Sequence, residues 1–149
     1  MADLGQLRAG KKPRPGAHRK HFYPEPRLAV GQFLREKKLV SAMIDISDGL
    51  STDLSHICEE SGVGAVIHAG AIPAGVGGKD GLRFALHGGD EYELLFTAGP
   101  GRRVPKQIAG VPITQIGEIV SGRQMKLMLK NGKSEALAPG GWEHFKNSG

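Results

Sequence analysis

Two aspartates and a serine end an apolar run in the stretch SAMIDISDGLSTDL, residues 41–54. Asp45, Ser47 and Asp48 stand within four positions of one another, and Gly49 follows directly. Two carboxylates at this spacing across a bend can face one point. Mg²⁺ usually takes one or two carboxylates and completes its shell with water and phosphate oxygens. The stretch is therefore a candidate site for a metal ion and its phosphates.

Helix capping is an alternative explanation of the same residues. Asp and Ser are favoured at the N-cap because their side-chain oxygens accept hydrogen bonds from the unpaired N–H groups of the first turn. Spacing alone supports capping and a metal role about equally. Asp45 favours the metal role, because it precedes any cap position and lies at the end of a predicted strand, where a carboxylate needs a partner.

Two further stretches carry side chains that suit a ligand. In HGGDEYELLFT, residues 87–97, a glycine turn presents Asp90 and Glu91, although a solvated acidic turn is the plainer interpretation. In PGGWEHF, residues 139–145, the single tryptophan, Trp142, can stack on a flat ring or fill an apolar gap. The sequence contains neither GxxxxGK[ST] nor GxGxxG after a strand, so a P-loop and a dinucleotide fold are not supported.

The elements that must position these residues follow from periodicity. Residues 40–47 alternate between apolar and polar, which predicts a strand with Asp45 and Ser47 on one side. A helix should begin near Gly49, with Leu50, Leu54, Ile57 and Cys58 on one face, and end at Gly62. His56 and Asp53 are interpreted as ordinary helix residues.

The rest of the chain predicts a mixed order of elements. We expect helices over residues 26–39, 82–87 and 104–110, a loop over 72–81, strands over 63–69, 94–98, 111–120 and 124–130, and a hairpin at Asn131–Gly132. Glu93 is expected to face solvent. The predicted fold class is α+β, a layered α/β sandwich with a mixed, largely antiparallel sheet covered by helices.

Composition limits the classes of function. The 149 residues carry a formal net charge of +5, and residues 1–38 hold ten Lys/Arg against three Asp/Glu, so the remainder is mildly acidic. Residues 1–25 are predicted to be a basic, Pro-rich linker or mobile lead-in. With 5% aromatic residues, nucleic-acid binding is not expected. One cysteine and no apolar leader or span lead us to expect a cytoplasmic protein without a membrane partner.

Three motifs together point to a family. PEPRLAVGQFL, SAMIDISDGLSTDLSHI and GGDEYELLFT, with the terminal GGWEHF, resemble the C-terminal half of thiamine-monophosphate kinase, in the aminoimidazole-ribonucleotide synthetase-related superfamily. The resemblance implies ATP-dependent phosphorylation of thiamine monophosphate with Mg²⁺, and no residue acting as acid or base. By motif, it assigns Asp45 and Asp48 to metal, Ser47 to ATP, and Asp90 and Trp142 to the substrate. Residues 26–149 would form the C-terminal domain.

This sequence departs from the family pattern in two ways. The family commonly has Gly-Gly-Glu-Asp where this chain has Gly-Gly-Asp90-Glu91, which leaves open which of the two acids contacts the substrate. The N-terminal half, which in the family supplies further aspartates and the dimer core, has no counterpart in these 149 residues. The resemblance therefore implies a homodimer only at full length, and a chain inactive without that half. The alternatives are another ATP-dependent enzyme domain of the superfamily, or a non-catalytic domain that binds a ligand or partner.

Overall fold

The structure, a computed structural model, describes residues 27–73, 78–88 and 93–140. The predicted lead-in over residues 1–25 lies outside these ranges. None of the helices in the described ranges is long and apolar enough to cross a membrane. The helices are Leu28–Glu36 (α1), Leu50–Ser61 (α2) and Gly78–His87 (α3), with a 3₁₀ turn at Ala69–Ala71.

Short strands form three sheets in the described part of the chain. The largest sheet has the order β6-β2-β7-β8, in which β2 is antiparallel to β6 and parallel to β7, and β7 is antiparallel to β8. Antiparallel pairs β1–β3 and β4–β5 form the other two. The predicted α+β class, with a mixed and largely antiparallel sheet, is confirmed. The strands are Ala42–Asp45 (β1), Gly64–His68 (β2), Leu94–Thr97 (β3), Gln107–Ile108 (β4), Val111–Pro112 (β5), Gly117–Val120 (β6), Met125–Met128 (β7) and Ser134–Ala136 (β8).

Helix α2 carries the main core. Its predicted apolar face is fully buried and packs with residues of β2, β3 and β7, among them Ile67, Leu95 and Leu127. Burying a Leu or Ile side chain stabilises a fold by about 1.5–3 kcal/mol, so this face holds α2 firmly in place. The left-handed Gly62 ends the helix (φ 64°), and its backbone N–H donates to the carbonyl of Glu59, as the glycine at this position predicted.

Strand β1 has the predicted alternation. Ala42 and Ile44 are partly buried, whereas Met43 and Asp45 are exposed. The strand pairs with β3 in antiparallel register, Asp45 opposite Leu94, so the chain leaves β1 for α2 beside the beginning of β3. Helix α1, also predicted, buries Val30 and Leu34 in a second cluster that includes Ile108.

Three predictions of local structure were wrong. Residues 104–110 do not form a helix: Gln107–Ile108 pairs with Val111–Pro112 around Ala109 and Gly110, both with positive φ, as in a two-residue hairpin turn. The single strand predicted over 111–120 is two strands in different sheets. Helix α3 begins at Gly78, inside the predicted loop, because packing against α2 outweighs the low helix propensity of its glycines.

The hairpin predicted at Asn131–Gly132 is confirmed. Strands β7 and β8 pair antiparallel on either side of it, and Gly132 has a positive φ of 83°. The backbone N–H of Leu129 donates to the carbonyl of Lys133 at 2.8 Å. The side-chain oxygen of Asn131 accepts from the N–H of Lys133 at 3.0 Å, which is the turn-forming bond that makes Asn favourable here.

Candidate functional site

The predicted metal and nucleotide residues lie where β1 leads into α2: Asp45 is the last residue of β1, and Ser47 and Asp48 lie on the turn that follows. Asp45, Ser47 and Asp48 all have exposed side chains. The N-cap of α2 is Gly49, with φ 111° and ψ 151°, and no side chain makes a cap hydrogen bond there. Helix capping therefore does not account for Ser47 or Asp48, and their side chains remain available to a ligand.

A buried carboxylate on α2 fixes the backbone of this turn. Asp53 is only 2% exposed. Its Oδ2 accepts hydrogen bonds from the backbone N–H groups of Ser47, at 2.8 Å, and Asp48, at 3.1 Å. Two bonds from successive amides to one carboxylate oxygen hold the turn in a single conformation. Asp53 is thus not the ordinary helix residue that its sequence context predicted.

Asp48, Asp53 and His56 form a group whose potential ligand atoms all lie within 4.8 Å of one another. Asp45 is not part of this group among the described residues, although it precedes Asp48 by three positions. Carboxylate oxygens are ligands that Mg²⁺ prefers, whereas imidazole suits transition metals better. The carboxylates of Asp48 and Asp53 therefore fit Mg²⁺, and His56 stands beside them as a group that sequence reasoning did not include.

Glu93 ties the turn to β3 and α1. Its carbonyl accepts from the N–H of Ile46 at 2.8 Å. Its carboxylate accepts two bonds from the Arg27 guanidinium, both of 3.1 Å. The prediction that Glu93 faces solvent was wrong, because the side chain lies in a partly buried, bidentate ion pair that joins residues 66 positions apart.

Ser51, in the first turn of α2, forms hydrogen bonds with two segments that are distant in the sequence. Its Oγ lies 2.8 Å from His87 Nδ1, at the end of α3, and accepts from the backbone N–H of Gly140 at 3.3 Å. Ser51 is fully buried. With the oxygen accepting from Gly140, the hydroxyl proton is free to go to a neutral His87, whose Nδ1 then accepts. We call these three residues the Ser51 node.

Two glycines, Gly49 and Gly140, pack closely against His87. A Cβ on Gly49 would lie 3.0 Å from the carbonyl carbon of His87. A Cβ on Gly140 would lie 2.8 Å from the Nδ1 of the same residue. At Gly140 a Cβ would come nearer to the ring than real Cβ atoms do, so the ring would have to shift. At Gly49 the positive φ of 111° favours glycine whatever the space. The turn, the end of α3 and the segment ending at Gly140 are therefore in direct contact.

The pH dependence of stability should report on His87. Burial, and to a lesser degree the nearby Arg83, hold the pKa of its imidazole below the ordinary value of about 6.5. The unfolded chain then binds a proton at higher pH than the folded chain does, so the free energy of unfolding should fall as the pH drops below about 6.5. Urea unfolding at about pH 7.5 and about pH 5.5 measures this loss.

The His87→Asn variant should lose stability less steeply over that interval, because the titrating group is gone. The matched control is His68→Asn, which removes a half-exposed histidine on β2 that lies 3.9 Å from Glu118. An identical pH dependence in wild type and His87→Asn would contradict the lowered pKa.

The two predicted substrate residues, Asp90 and Trp142, lie outside the described residues. Their described chain neighbours, however, reach the turn. Residues 89–92 are preceded by the His87–Gly88 step and followed by Glu93, which bonds Ile46. Gly140, two positions before Trp142, belongs to the Ser51 node.

Sequence reasoning missed Ser51, Asp53 and His87. The first two carried a usable signal: Asp53 is three positions after Leu50, and Ser51 is three before Leu54, so both lie toward the apolar face of α2. A polar residue on a buried face needs a specific partner. His87 carried no such signal, because its partner is 36 positions away.

Comparisons with known proteins identify relatives of this chain. A family model described as AIR synthase related protein, C-terminal domain, matches residues 5–130. The thiamine-monophosphate kinase of Salmonella typhimurium is 37% identical over 136 residues, covering 85% of this chain and 41% of the relative. The enzyme of that name from Escherichia coli strain K12 is 36% identical over 137 residues, covering 85% and 42%. The chain thus spans about two fifths of the length of these relatives.

Among the solved structures similar to the chain is one that matches it along most of its length. AaThiL complexed with AMPPCP and TMP has a TM-score of 0.75 to this structure at 30% identity. The match covers 95% of this chain and 46% of that one. The fold described above is therefore also found in a protein whose structure contains those two ligands.

Proposed function

Since the chain belongs to the AIR synthase related protein family, as its C-terminal domain, we propose that it is the C-terminal part of a thiamine-monophosphate kinase. The complete enzyme would transfer the terminal phosphoryl group of ATP to thiamine monophosphate. The observation that carries the proposal is the turn at residues 45–49. It presents Asp45, Ser47 and Asp48 to solvent on a backbone held by Asp53 and Glu93.

Phosphoryl transfer depends on positioning and charge neutralisation more than on covalent catalysis. In this proposal the carboxylates of Asp48 and Asp45 would hold Mg²⁺. Asp53 keeps the turn in shape and could contribute a further ligand oxygen. The ion supplies neutralisation of the phosphate charge when bound. The Ser47 hydroxyl donates a hydrogen bond to a phosphate oxygen of ATP. The start of α2 adds the favourable end of a helix dipole to the same position.

In this proposal, thiamine monophosphate, the phosphoryl acceptor, is bound by residues 88–93 and the segment after Gly140. Asp90, or Glu91 in its place, would attract the cationic ring of thiamine, and Trp142 would stack on it. The relative with AMPPCP, a non-hydrolysable analogue of ATP, and TMP supports a site that binds a nucleotide and a second phosphorylated ligand. The homodimer and the cytoplasmic location predicted from the sequence belong to this same proposal.

The chain alone is expected to show no turnover. The matched part of the Salmonella relative is 41% of its length, so the remainder should supply the rest of the site. The experiment mixes the 149-residue chain with the N-terminal part of that relative, and follows thiamine diphosphate formation from ATP, Mg²⁺ and thiamine monophosphate. Turnover by the pair and by neither part alone supports the proposal.

Two results would overturn the assignment. If the pair is inactive with thiamine monophosphate but phosphorylates another acceptor, the substrate is wrong and another enzyme of the superfamily is indicated. If the pair is inactive and calorimetry detects no binding of Mg-ATP or thiamine monophosphate, the chain is an interaction domain and not part of this kinase. The N-terminal part mixed with bovine albumin serves as the control for background turnover.

A further inference from the structure

We propose that Asp48, Asp53 and His56 form a binding site for a divalent transition metal ion such as Zn²⁺, which the chain binds without a nucleotide. The inference goes beyond the proposed function and does not depend on it. The potential ligand atoms of the three side chains all lie within 4.8 Å of one another. Imidazole nitrogen and carboxylate oxygen are both ligands of zinc, and sites with three protein ligands leave the fourth position to water.

Helix α2 supplies two of the three ligands. Asp53 and His56 are three positions apart, and side chains at this spacing are neighbours on the surface of a helix. The helices of di-iron carboxylate proteins present an acid and a histidine to their metals at the same spacing. Asp48 belongs to the turn before α2, whose backbone Asp53 holds through two hydrogen bonds. One local structure therefore places all three donors.

The buried carboxylate of Asp53 has one oxygen without a partner. Only its Oδ2 accepts hydrogen bonds, although the residue is 2% exposed. No fully buried side-chain oxygen in the described part of the chain lacks a hydrogen bond, so Oδ1 must reach the surface through this small opening. Asp48 and His56, both exposed, stand beside it. A carboxylate buried to this degree needs a compensating partner, which points to a bound cation.

The charges of the two acids are not compensated by a basic side chain. Within residues 27–73, 78–88 and 93–140, neither Asp48 nor Asp53 forms an ion pair, and the ring of His56 forms no hydrogen bond. Two carboxylates at this distance repel each other, and a divalent cation between them removes the repulsion. The nitrogen of His56 favours a transition metal over Mg²⁺, which prefers oxygen ligands.

Binding requires only a small movement of the exposed side chains. An ion bonded at about 2.1 Å holds any two of its ligand atoms within about 4.2 Å of each other. The largest separation among the three ligand atoms is 4.8 Å, so the group must close slightly around the ion. Asp48 and His56 are exposed and can rotate, whereas Asp53 is fixed by its two hydrogen bonds. Asp53 is thus the anchor toward which the other two ligands move.

NMR of the histidine rings tests the site residue by residue. The 149-residue chain, with labelled histidine rings, is titrated with Zn²⁺ at neutral pH. The sequence contains six histidines, and the ring nitrogens of His56 should shift before those of the other five. This result supports the site. An early shift of any other histidine, with the His56 ring unchanged, would place the zinc elsewhere and overturn the proposal.

Calorimetry with Zn²⁺ and Mg²⁺ measures the contribution of the imidazole. His56→Gln should weaken Zn²⁺ binding to the chain at least about tenfold, the lower end of the loss caused by removing a hydrogen-bond partner of a metal ligand. The preference for Zn²⁺ over Mg²⁺ should fall by the same factor, because Mg²⁺ takes oxygen ligands. Asp48→Asn should weaken the binding of Zn²⁺ as well.

The matched control is His68→Gln, which removes a half-exposed histidine that lies 3.9 Å from Glu118 on a neighbouring strand. It should leave Zn²⁺ binding unchanged. Equal Zn²⁺ affinity in wild type and His56→Gln, or an equal loss in His56→Gln and His68→Gln, would overturn the site. His56 is exposed, so its variant should keep the fold, which circular dichroism checks. Neither measurement uses ATP or thiamine monophosphate, so failure of the kinase assignment would not affect this test.

Discussion

Asp48→Asn is expected to lower the kcat of the reconstituted enzyme on the order of 100-fold, the upper end of the loss caused by removing a hydrogen-bond partner of a metal ligand. The side chain is exposed on the turn and lies in the group with Asp53 and His56. Asn keeps the shape but removes the charge that Mg²⁺ needs in its shell. The Mg²⁺ concentration for half-maximal rate should rise by about tenfold or more. The measurement is a Mg²⁺ titration of the rate at saturating ATP and thiamine monophosphate.

Asp45→Asn should have the same two effects with a smaller change in Mg²⁺ requirement, because Asp45 does not belong to that group. Glu60→Gln is the control, since Glu60 is an exposed acid in the last turn of α2. It removes the same charge at the opposite end of the helix and should leave the titration unchanged. A Mg²⁺ requirement for Asp48→Asn equal to that of wild type would remove Asp48 from the metal site, and the same result for Asp45→Asn would remove Asp45.

Asp53→Ala is expected to lower the free energy of unfolding by about 2–4 kcal/mol. The carboxylate is buried and accepts two backbone bonds, so its removal leaves two amide donors without their partner and a cavity beside α2. Asp53→Asn should lower it less, by about 1–2 kcal/mol, because the neutral amide oxygen can still accept both bonds but lacks the charge that strengthens them. Urea unfolding of the 149-residue chain measures both values.

Glu60→Ala is the control that separates the effect on the turn from the loss of any acid on α2. An exposed acid on the same helix should change the free energy of unfolding by less than about 0.5 kcal/mol. In a complete enzyme, Asp53→Asn should also raise the KM for ATP, since the turn that carries Ser47 is then held by weaker hydrogen bonds. Equal stability of Asp53→Ala and Glu60→Ala would show that the two bonds do not fix the turn.

Local patterns predicted most of the helices and strands around the site. The alternation in residues 40–47 and the apolar face of α2 are signals with a period of two or of about 3.6 residues, and both were confirmed. The wrong predictions also concerned local secondary structure. Residues 104–110 were predicted to form a helix. The sequence has no strong signal that Ala109 and Gly110 both adopt a positive φ and form a turn. The alternation also predicted Asp45 and Ser47 on one side at the end of a strand; in the structure β1 ends at Asp45, and Ser47 and Asp48 follow on the turn.

Residues 41–54, from which the site was predicted, show what the sequence alone determines and what depends on the tertiary structure. By itself the sequence determined that a strand ends at Asp45, that a helix follows Gly49, and that Asp45 lies on the outward side, because these depend on neighbours a few positions away. Only the tertiary structure decided that Asp53 holds the turn, that Glu93 pairs with Arg27, and that Ser51 meets His87 and Gly140. Periodicity reports which face of an element is buried, but not which distant residue lies across from it. Partners separated by 36 to 89 positions meet only through the packing of the whole domain.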